Sequence, residues 1–424
     1  MSLPAPAPPP SPTATRAAVT FIFITLTLDV LAMGVVIPVL PRLIEGLLGG
    51  DDADAVRVGG WLSLVWAVMQ FVFTPIQGAL SDRFGRRPVL LISMAGLGID
   101  YALTALAPSL AWLFVARAVS GMTAASFATA NAYIADVTPP EKRAAAFGKM
   151  GAAFGIGFVL GPALGGLAGA YDPRLPFWVA AGLCMINALY GYFILPESLP
   201  PAKRTPFSLA RASPIGSLRL LASNAQLAGL ATAQFFYIIG HNVYPAVFVW
   251  FTMYRYGWSS GSNGLALAAT GVASIIVQGG LVGPVVKRLG ERKAIIVGLL
   301  FGIAGFLIYA IGPTDRSIWI GIPIAALWGF YSPAAQTLMS QQVGPGQQGQ
   351  LQGALGSLMG VAAIISPPLY TRVFAEAIEW KDRVPLLGAP FYVAALCLVI
   401  ALVVSIVSTR ASLRSSAPPA SPSP

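Results

Sequence analysis

The sequence predicts an all-α integral membrane protein: twelve transmembrane helices in two pseudo-symmetric six-helix bundles around a central cavity. Three observations carry that prediction. Of 424 residues, 56% are hydrophobic and only 10% are charged, against about 25% charged in soluble domains. Apolar runs of about 20 residues, enough to cross a ~30 Å hydrocarbon core as helix, recur along the chain. Finally, the two halves of the chain match one another at a constant shift of 205 residues.

Spans are expected near 17–40, 58–80, 88–107, 110–136, 145–170 and 175–195, and again near 225–253, 262–286, 293–312, 317–340, 350–374 and 388–409. The Pro/Ala-rich start, 1–16, and the end, 411–424, have too little apolar surface to fold and read as disordered cytoplasmic tails. A proline run stands where a cleaved leader would carry basic residues, so the first apolar segment is read as a retained helix. The N-terminal bundle is expected over 17–196 and the C-terminal bundle over 224–410. The cytoplasmic linker 197–223 between them holds Pro200, Pro201, Pro206 and Pro214. Within it, SPIGSLRLLAS has the pattern of a short surface helix.

A net charge of +10 raises the question of nucleic acid, and the distribution answers it. Seventeen of the 26 Lys and Arg fall on the side of the two termini, as expected for cytoplasmic loops. The basic excess is thus a topology signal, with both termini cytoplasmic and the chain crossing the membrane many times. Cys184 and Cys397 sit in apolar runs and read as buried thiols. A lone histidine, His241, without a CxxC motif makes no metal site. Neither a phosphate-binding GxxxxGK[ST] loop nor a nucleophile elbow is present, so an enzyme is not expected. Energy for any vectorial process has to come from an ion gradient or from the substrate's own gradient.

The repeat aligns GALSDRFGRRPVL at 78–90 with GPVVKRLGERKAI at 283–295. It places Gly85 on Gly290, Gly148 on Gly353, Gly151 on Gly356 and Pro162 on Pro367. One ungapped register over nearly 90 residues marks a duplicated six-helix unit, and such halves commonly bind substrate where they meet.

The strongest motif is GALSDRFGRRPVL itself, in the short loop after the second span. Gly85 permits a tight turn. Arg83, Arg86 and Arg87 hold the loop at the cytoplasmic face. Asp82 is placed to accept charge-assisted hydrogen bonds from these arginines or from a helix N-terminus of the other half. With Gly78, these residues read as a conformational latch; the plainer alternative is a basic topogenic loop. In the fifth span Gly157, Gly161, Gly165 and Gly169 recur at every fourth residue around Pro162. The glycines form a ridge that admits close helix approach, and the proline favours a kink. Plain packing and a role in sealing the two halves both remain open for them.

Asp29, Asp100 and Arg117 lie inside apolar spans, where a charge at the bilayer centre costs at least ~2.5 kcal/mol. Desolvation raises a carboxylate pKa and a nearby arginine lowers it, an opposition suited to reversible protonation. Asp29 is the first candidate, with Arg117 as the charge that tunes it and Thr25 one turn away as a hydrogen-bond partner. Asp100, nearer a span end, is the second. A structural ion pair is the plainer reading of each. Thr25, Asn131, Gln234, Tyr237, His241 and Asn242 are candidate cavity residues, although a packed histidine is the plainer reading of His241.

GALSDRFGRRPVL resembles the loop motif shared across the major facilitator superfamily. LDVLAMGVVIPVLP, LFVARAVSGMTAA and FGIGFVLGPALGG resemble the motifs of its twelve-helix drug/proton antiporters. SDRFGRRPVLLIS, GIDYAL, AYIAD, LPFWVAAGLCMINALYGYFILPES, RYGWS and GQLQGAL resemble the tetracycline efflux branch. The resemblance covers almost the whole chain outside the tails. It implies that Asp29, Asp82 and Asp100 match the first-helix, loop and third-helix aspartates, that Arg83, Arg86 and Arg87 match the loop arginines, and that Arg117 matches the fourth-helix arginine. Asn242 falls near a helix-seven glutamine. The chain departs from the branch where members often carry a helix-eight histidine and a helix-nine aspartate: Ser274 and Gly302 stand there. What the resemblance implies is proton-coupled export, by alternating access, of tetracycline-like or other amphiphilic drugs, without strong dependence on a divalent metal. Transport of an unrelated small metabolite, or from a different class a channel or sensor, are the alternatives. The expected partners are the lipid bilayer, protons and a small amphiphilic substrate, with no cofactor, no metal and no nucleic acid, the chain acting as a monomer.

Overall fold

The computed structural model describes residues 12–49, 52–124, 126–138, 140–205, 219–344, 347–382 and 386–415. Twelve apolar helical spans are described: α1 Thr20–Leu48, α2 Asp52–Phe84, α3 Arg86–Leu106, α4 Leu110–Thr123, α5 Met150–Tyr171, α6 Leu175–Ile194, α7 Ala225–Tyr256, α8 Ser260–Leu289, α9 Glu291–Ile311, α10 Arg316–Ser340, α11 Gln350–Glu379 and α12 Ala389–Thr409. Eleven are long enough to cross a bilayer unaided; α4 is a shorter apolar helix, and the helix Ser126–Val137 comes after it in the chain. No strand occurs among the described residues.

Local chemistry sets the ends and breaks of these helices. Asn224 caps α7 by accepting a hydrogen bond from the Leu227 N–H at 2.7 Å, and Gly257 ends it in the left-handed region at φ 65°, as cap chemistry predicts. Inside the bundle, α8 widens to a π-helical turn at Val277–Leu281, and α10 tightens to a 3-10 turn at Leu327–Phe330. Residues 12–16, expected in the first tail, begin the helix Pro12–Val36, and the last helix continues to Ser415. Once nucleated by an apolar span, a helix propagates through flanking residues of adequate propensity. The rest of both tails, 1–11 and 416–424, and most of SPIGSLRLLAS lie outside the described residues.

In the first half α1 packs on α5 and α6, α3 on α6, and α2 on α4; in the second, α7 and α9 both pack on α12. Gly85 and Gly290, equivalent in the repeat, start α3 and α9 with φ of 108° and 75°. The halves meet along two seams, α5 against α8 and α2 against α11. Both seams are tight on the side away from the chain termini, here called distal. A Cβ on Gly60 would stand 2.0 Å from Thr371 Oγ1, and one on Gly264 would stand 2.3 Å from the Pro162 carbonyl oxygen. On the terminal side a Cβ on Gly78, Gly151, Gly280, Gly283, Gly353 or Gly356 would meet nothing within 4 Å.

Candidate functional site

Two buried ionic groups lie inside the first half. Asp100 on α3 has no exposed surface and pairs with Arg117 of α4 at 3.4 Å, Oδ2 to Nη2. Asp29 on α1 is 6% exposed and accepts a hydrogen bond from Asn187 Nδ2 of α6 at 2.9 Å. The same Nδ2 bonds the Thr25 carbonyl at 3.1 Å. Both α1 and α3, which carry these two carboxylates, pack on α6. Arg117, expected to tune Asp29, forms an ion pair with Asp100, because α4 packs on α3. The interior of this bundle thus holds one carboxylate paired with a guanidinium and one held by an amide.

The loop after α2 forms a compact network within its own half. Arg86 bonds Asp82 at 2.5 Å, Asp136 at 3.1 Å and Ser81 at 3.0 Å. Glu197, from the start of the linker, accepts the backbone N–H groups of Arg86 and Arg87 at 2.8 and 3.3 Å. It thereby places a carboxylate on the open N-terminus of α3. Gly85 is required twice: its φ is positive, and a Cβ there would stand 2.2 Å from Glu197 Oε2. Arg87 donates to the Tyr192 carbonyl at 2.6 Å, while Arg83 is exposed and lies over the Phe84 ring. Gly78 faces open space on the terminal side. The Asp82 partner found here is an arginine of the same loop, not a helix of the other half.

The glycine ridge of α5 is used for packing within its half. A Cβ on Gly157, Gly161, Gly165 or Gly169 would run into Val30, Gly34, the Val35 carbonyl or Val39, all on α1. The interface with the second half is made by other residues of α5: Val159 against Gly271, the Pro162 carbonyl against Gly264, and Gly166 against Ser260. Pro162 therefore serves both faces, since its ring also lies 2.8 Å from a Cβ placed on Gly34.

Among the candidate cavity residues, Asn131 and His241 are exposed, Gln234 and Asn242 half-buried, and Thr25 and Tyr237 buried. Asn242 donates to Ser366 Oγ at 3.1 Å. His241 and Tyr237, one turn apart on α7, stack on Trp328 and Tyr331 of α10 with centroid separations of 4.7 and 4.2 Å.

At the distal end the halves are bridged by Arg57 of α2 and Glu379 of α11 at 2.6 Å, with Asp54 also on Arg57 at 3.0 Å. Nearby, Lys381 donates to the Tyr254 hydroxyl at 2.9 Å, and that bond holds its ammonium above the ordinary lysine value. A cleft of about 900 Å³ opens outside this seal, with Arg42, Glu45, Trp250 and Lys381 in its wall. Sequence reasoning had passed over Asn187, Glu197, Arg57, Glu379 and Trp328. Asn187 alone carried a signal, a carboxamide inside an otherwise apolar run; the others lie at span ends or in aromatic-rich stretches. Among the described residues no group of three or more His, Cys, Asp or Glu is placed to hold a metal ion.

With that geometry established, comparison with known proteins gives a consistent result. The profile of the Major Facilitator Superfamily matches residues 22–367. The class C tetracycline resistance protein of Escherichia coli is 40% identical over 372 residues, 87% of this chain and 92% of that protein. Among solved structures, the human organic anion transporter MFSD10 (TETRAN) matches with a TM-score of 0.69 and 26% identity, over 93% of this chain and 100% of the other. A bacterial homologue of the human lysosomal transporter Spinster, solved inward-facing and occupied, matches with a TM-score of 0.76 and 16% identity, over 97% and 100%.

Proposed function

The chain belongs to the major facilitator superfamily and is a multi-pass membrane transporter, and from that premise we propose that it exports tetracycline-like or other amphiphilic drugs in exchange for protons. The observation that carries the proposal is the burial of Asp29 and of the Asp100–Arg117 pair in the interior of one half. Burying such groups is costly unless they do work. Deprotonated Asp29 relies on the Asn187 amide; protonated, it sheds the desolvation cost. A proton there biases how α1 and α6 sit against the cavity. Asp100 keeps Arg117 in place as the standing charge. The class C relative's resistance to tetracycline supports the substrate class.

The open and closed ends support alternating access. With the basic loops inside the cell, the terminal side is cytoplasmic, both termini with it. The present arrangement then admits substrate from the cytoplasm and is sealed outside by Arg57 and Glu379. Rocking the halves about the α5–α8 and α2–α11 seams opens the distal cleft and draws the cytoplasmic ends together. Only then does Asp82 gain a partner across the interface. Ser274 and Gly302 stand where branch members often carry a helix-eight histidine and a helix-nine aspartate, so export is expected not to depend strongly on a divalent ion.

The test is pH-gradient-driven uptake of tetracycline into inverted vesicles containing the purified chain. Wild type accumulates drug with magnesium or with a chelator present. Asp29→Asn loses accumulation but retains binding. Full accumulation by that variant removes Asp29 from the coupling step.

A further inference from the structure

The second half holds an aromatic wall that the coupling site does not use. On α7, Tyr237 and His241 are four residues apart, so both project from one face. Each is stacked on a ring of α10: Tyr237 on Tyr331, with 22° between planes, and His241 on Trp328, with 24°. Trp328 is also held by other rings. Phe306 meets it edge-on at 5.4 Å and Tyr244 at 5.7 Å. It sits in the 3-10 turn of α10, which lies against α9 at two glycines. A Cβ on Gly302 would come within 3.2 Å of Trp328 Cβ, and one on Gly298 within 2.8 Å of the Tyr331 nitrogen.

Trp328 and Tyr237 are each 8% exposed and Tyr331 is fully buried, whereas His241 is exposed. The imidazole is stacked on the indole on one face, and the residue keeps exposed surface. We infer that the outer face of His241, backed by Trp328, is a docking shelf for a flat, uncharged aromatic ring of the transported molecule. Offset stacking on an aromatic plane is favoured over random apolar contact, and a pre-fixed plane adds little ordering cost on binding. A cation is the poorer guest. The indole face that would attract it is already covered. The carboxylates of this half, Glu291, Asp315, Glu376, Glu379 and Asp382, sit at span ends or in loops rather than in the middle of a span. The shelf names the part of the substrate that the second half recognises, and it rests on the export reading above.

Equilibrium dialysis of radiolabelled tetracycline against the detergent-purified full chain tests it. Stacking contributes at a level that corresponds to a roughly three- to tenfold change in affinity. His241→Ala is expected to weaken binding by that factor, and His241→Phe, which keeps a flat ring and removes the nitrogens, to stay within about twofold of wild type. Trp328→Leu should weaken binding as His241→Ala does. If His241→Ala melts well below wild type, the comparison of His241→Phe with His241→Gln, polar but not planar, takes its place. Unchanged affinity in His241→Ala, equal loss in His241→Phe, or no binding of tetracycline by wild type overturns the shelf. Binding with the expected order of variants but no pH-driven export overturns the export reading and leaves the shelf in place.

Discussion

Asp100 shows what a single side chain asks of its surroundings. With no exposed surface, its carboxylate depends on Arg117, itself mostly buried. Removing one member of a buried pair leaves an uncompensated charge and costs about 3–5 kcal/mol, whereas replacing both is often neutral. Arg117→Gln should therefore lower the melting temperature of the detergent-solubilised chain sharply. The double variant Arg117→Gln with Asp100→Asn should recover most of the loss, and additive losses would show that the pair is not coupled. At Gly165 the constraint is steric: a Cβ would lie 1.9 Å from the Val35 carbonyl oxygen. The partner is backbone and has no rotamer to change, so α1 and α5 have to separate. Gly165→Ala is expected to destabilise by about 1–3 kcal/mol, while Gly151→Ala, facing open space, leaves the melting temperature unchanged. The charge and the glycine spacing were legible in the sequence at both positions. Which neighbour each one meets was not, because that depends on how α3, α4 and α5 are rotated about their axes.

Helix α3 starts with no capping side chain of its own. Its N-terminal amides are taken up instead by Glu197, more than a hundred residues later in the chain. This ties the start of the linker to the loop between α2 and α3, and the Thr205 N–H adds a bond to the Asp82 carbonyl at 3.1 Å. A carboxylate at a helix N-terminus contributes about 0.3–1 kcal/mol, more when partly buried. Glu197→Gln should thus lower stability by about that amount and expose the linker to protease in a time-course digestion. A digestion rate equal to wild type would show that the contact does not hold the linker. The motif around Asp82 and Arg86 was visible as a string of residues. Its partner was not, since Glu197 follows the end of α6 with nothing in its own neighbourhood to mark it as a cap.

At the level of the whole molecule, Arg57 and Glu379 bridge the two halves at the distal end. Arg57 and Glu379 are 34% and 43% exposed, and exposed ion pairs contribute only about 0.2–1 kcal/mol. On the proposed alternating-access reading, this ion pair adds only a little to the distal seal. Arg57→Ala is expected to shift the population toward the distal-open form by no more than about fivefold. A thiol crosslinker between cysteines placed at 57 and 379 should stop transport entirely. Maleimide labelling of a cysteine at Gly280, on the open terminal side, reads the shift: labelling falls in Arg57→Ala and rises in the crosslinked chain. No change in either would show that this pair does not report the state of the gate.

The number of spans, the division into two halves and the presence of intramembrane charge follow from the sequence alone. The reason is local: hydropathy over about 20 residues and a shift of 205 positions are properties of the chain read in order. Only the tertiary structure decided that Arg117 serves Asp100, that Asn187 holds Asp29, that His241 lies on Trp328, and that the seal is distal. Those choices join residues 17 to 322 positions apart. They depend on helix rotation and on the few glycines at which two backbones can touch, and no local periodicity encodes either.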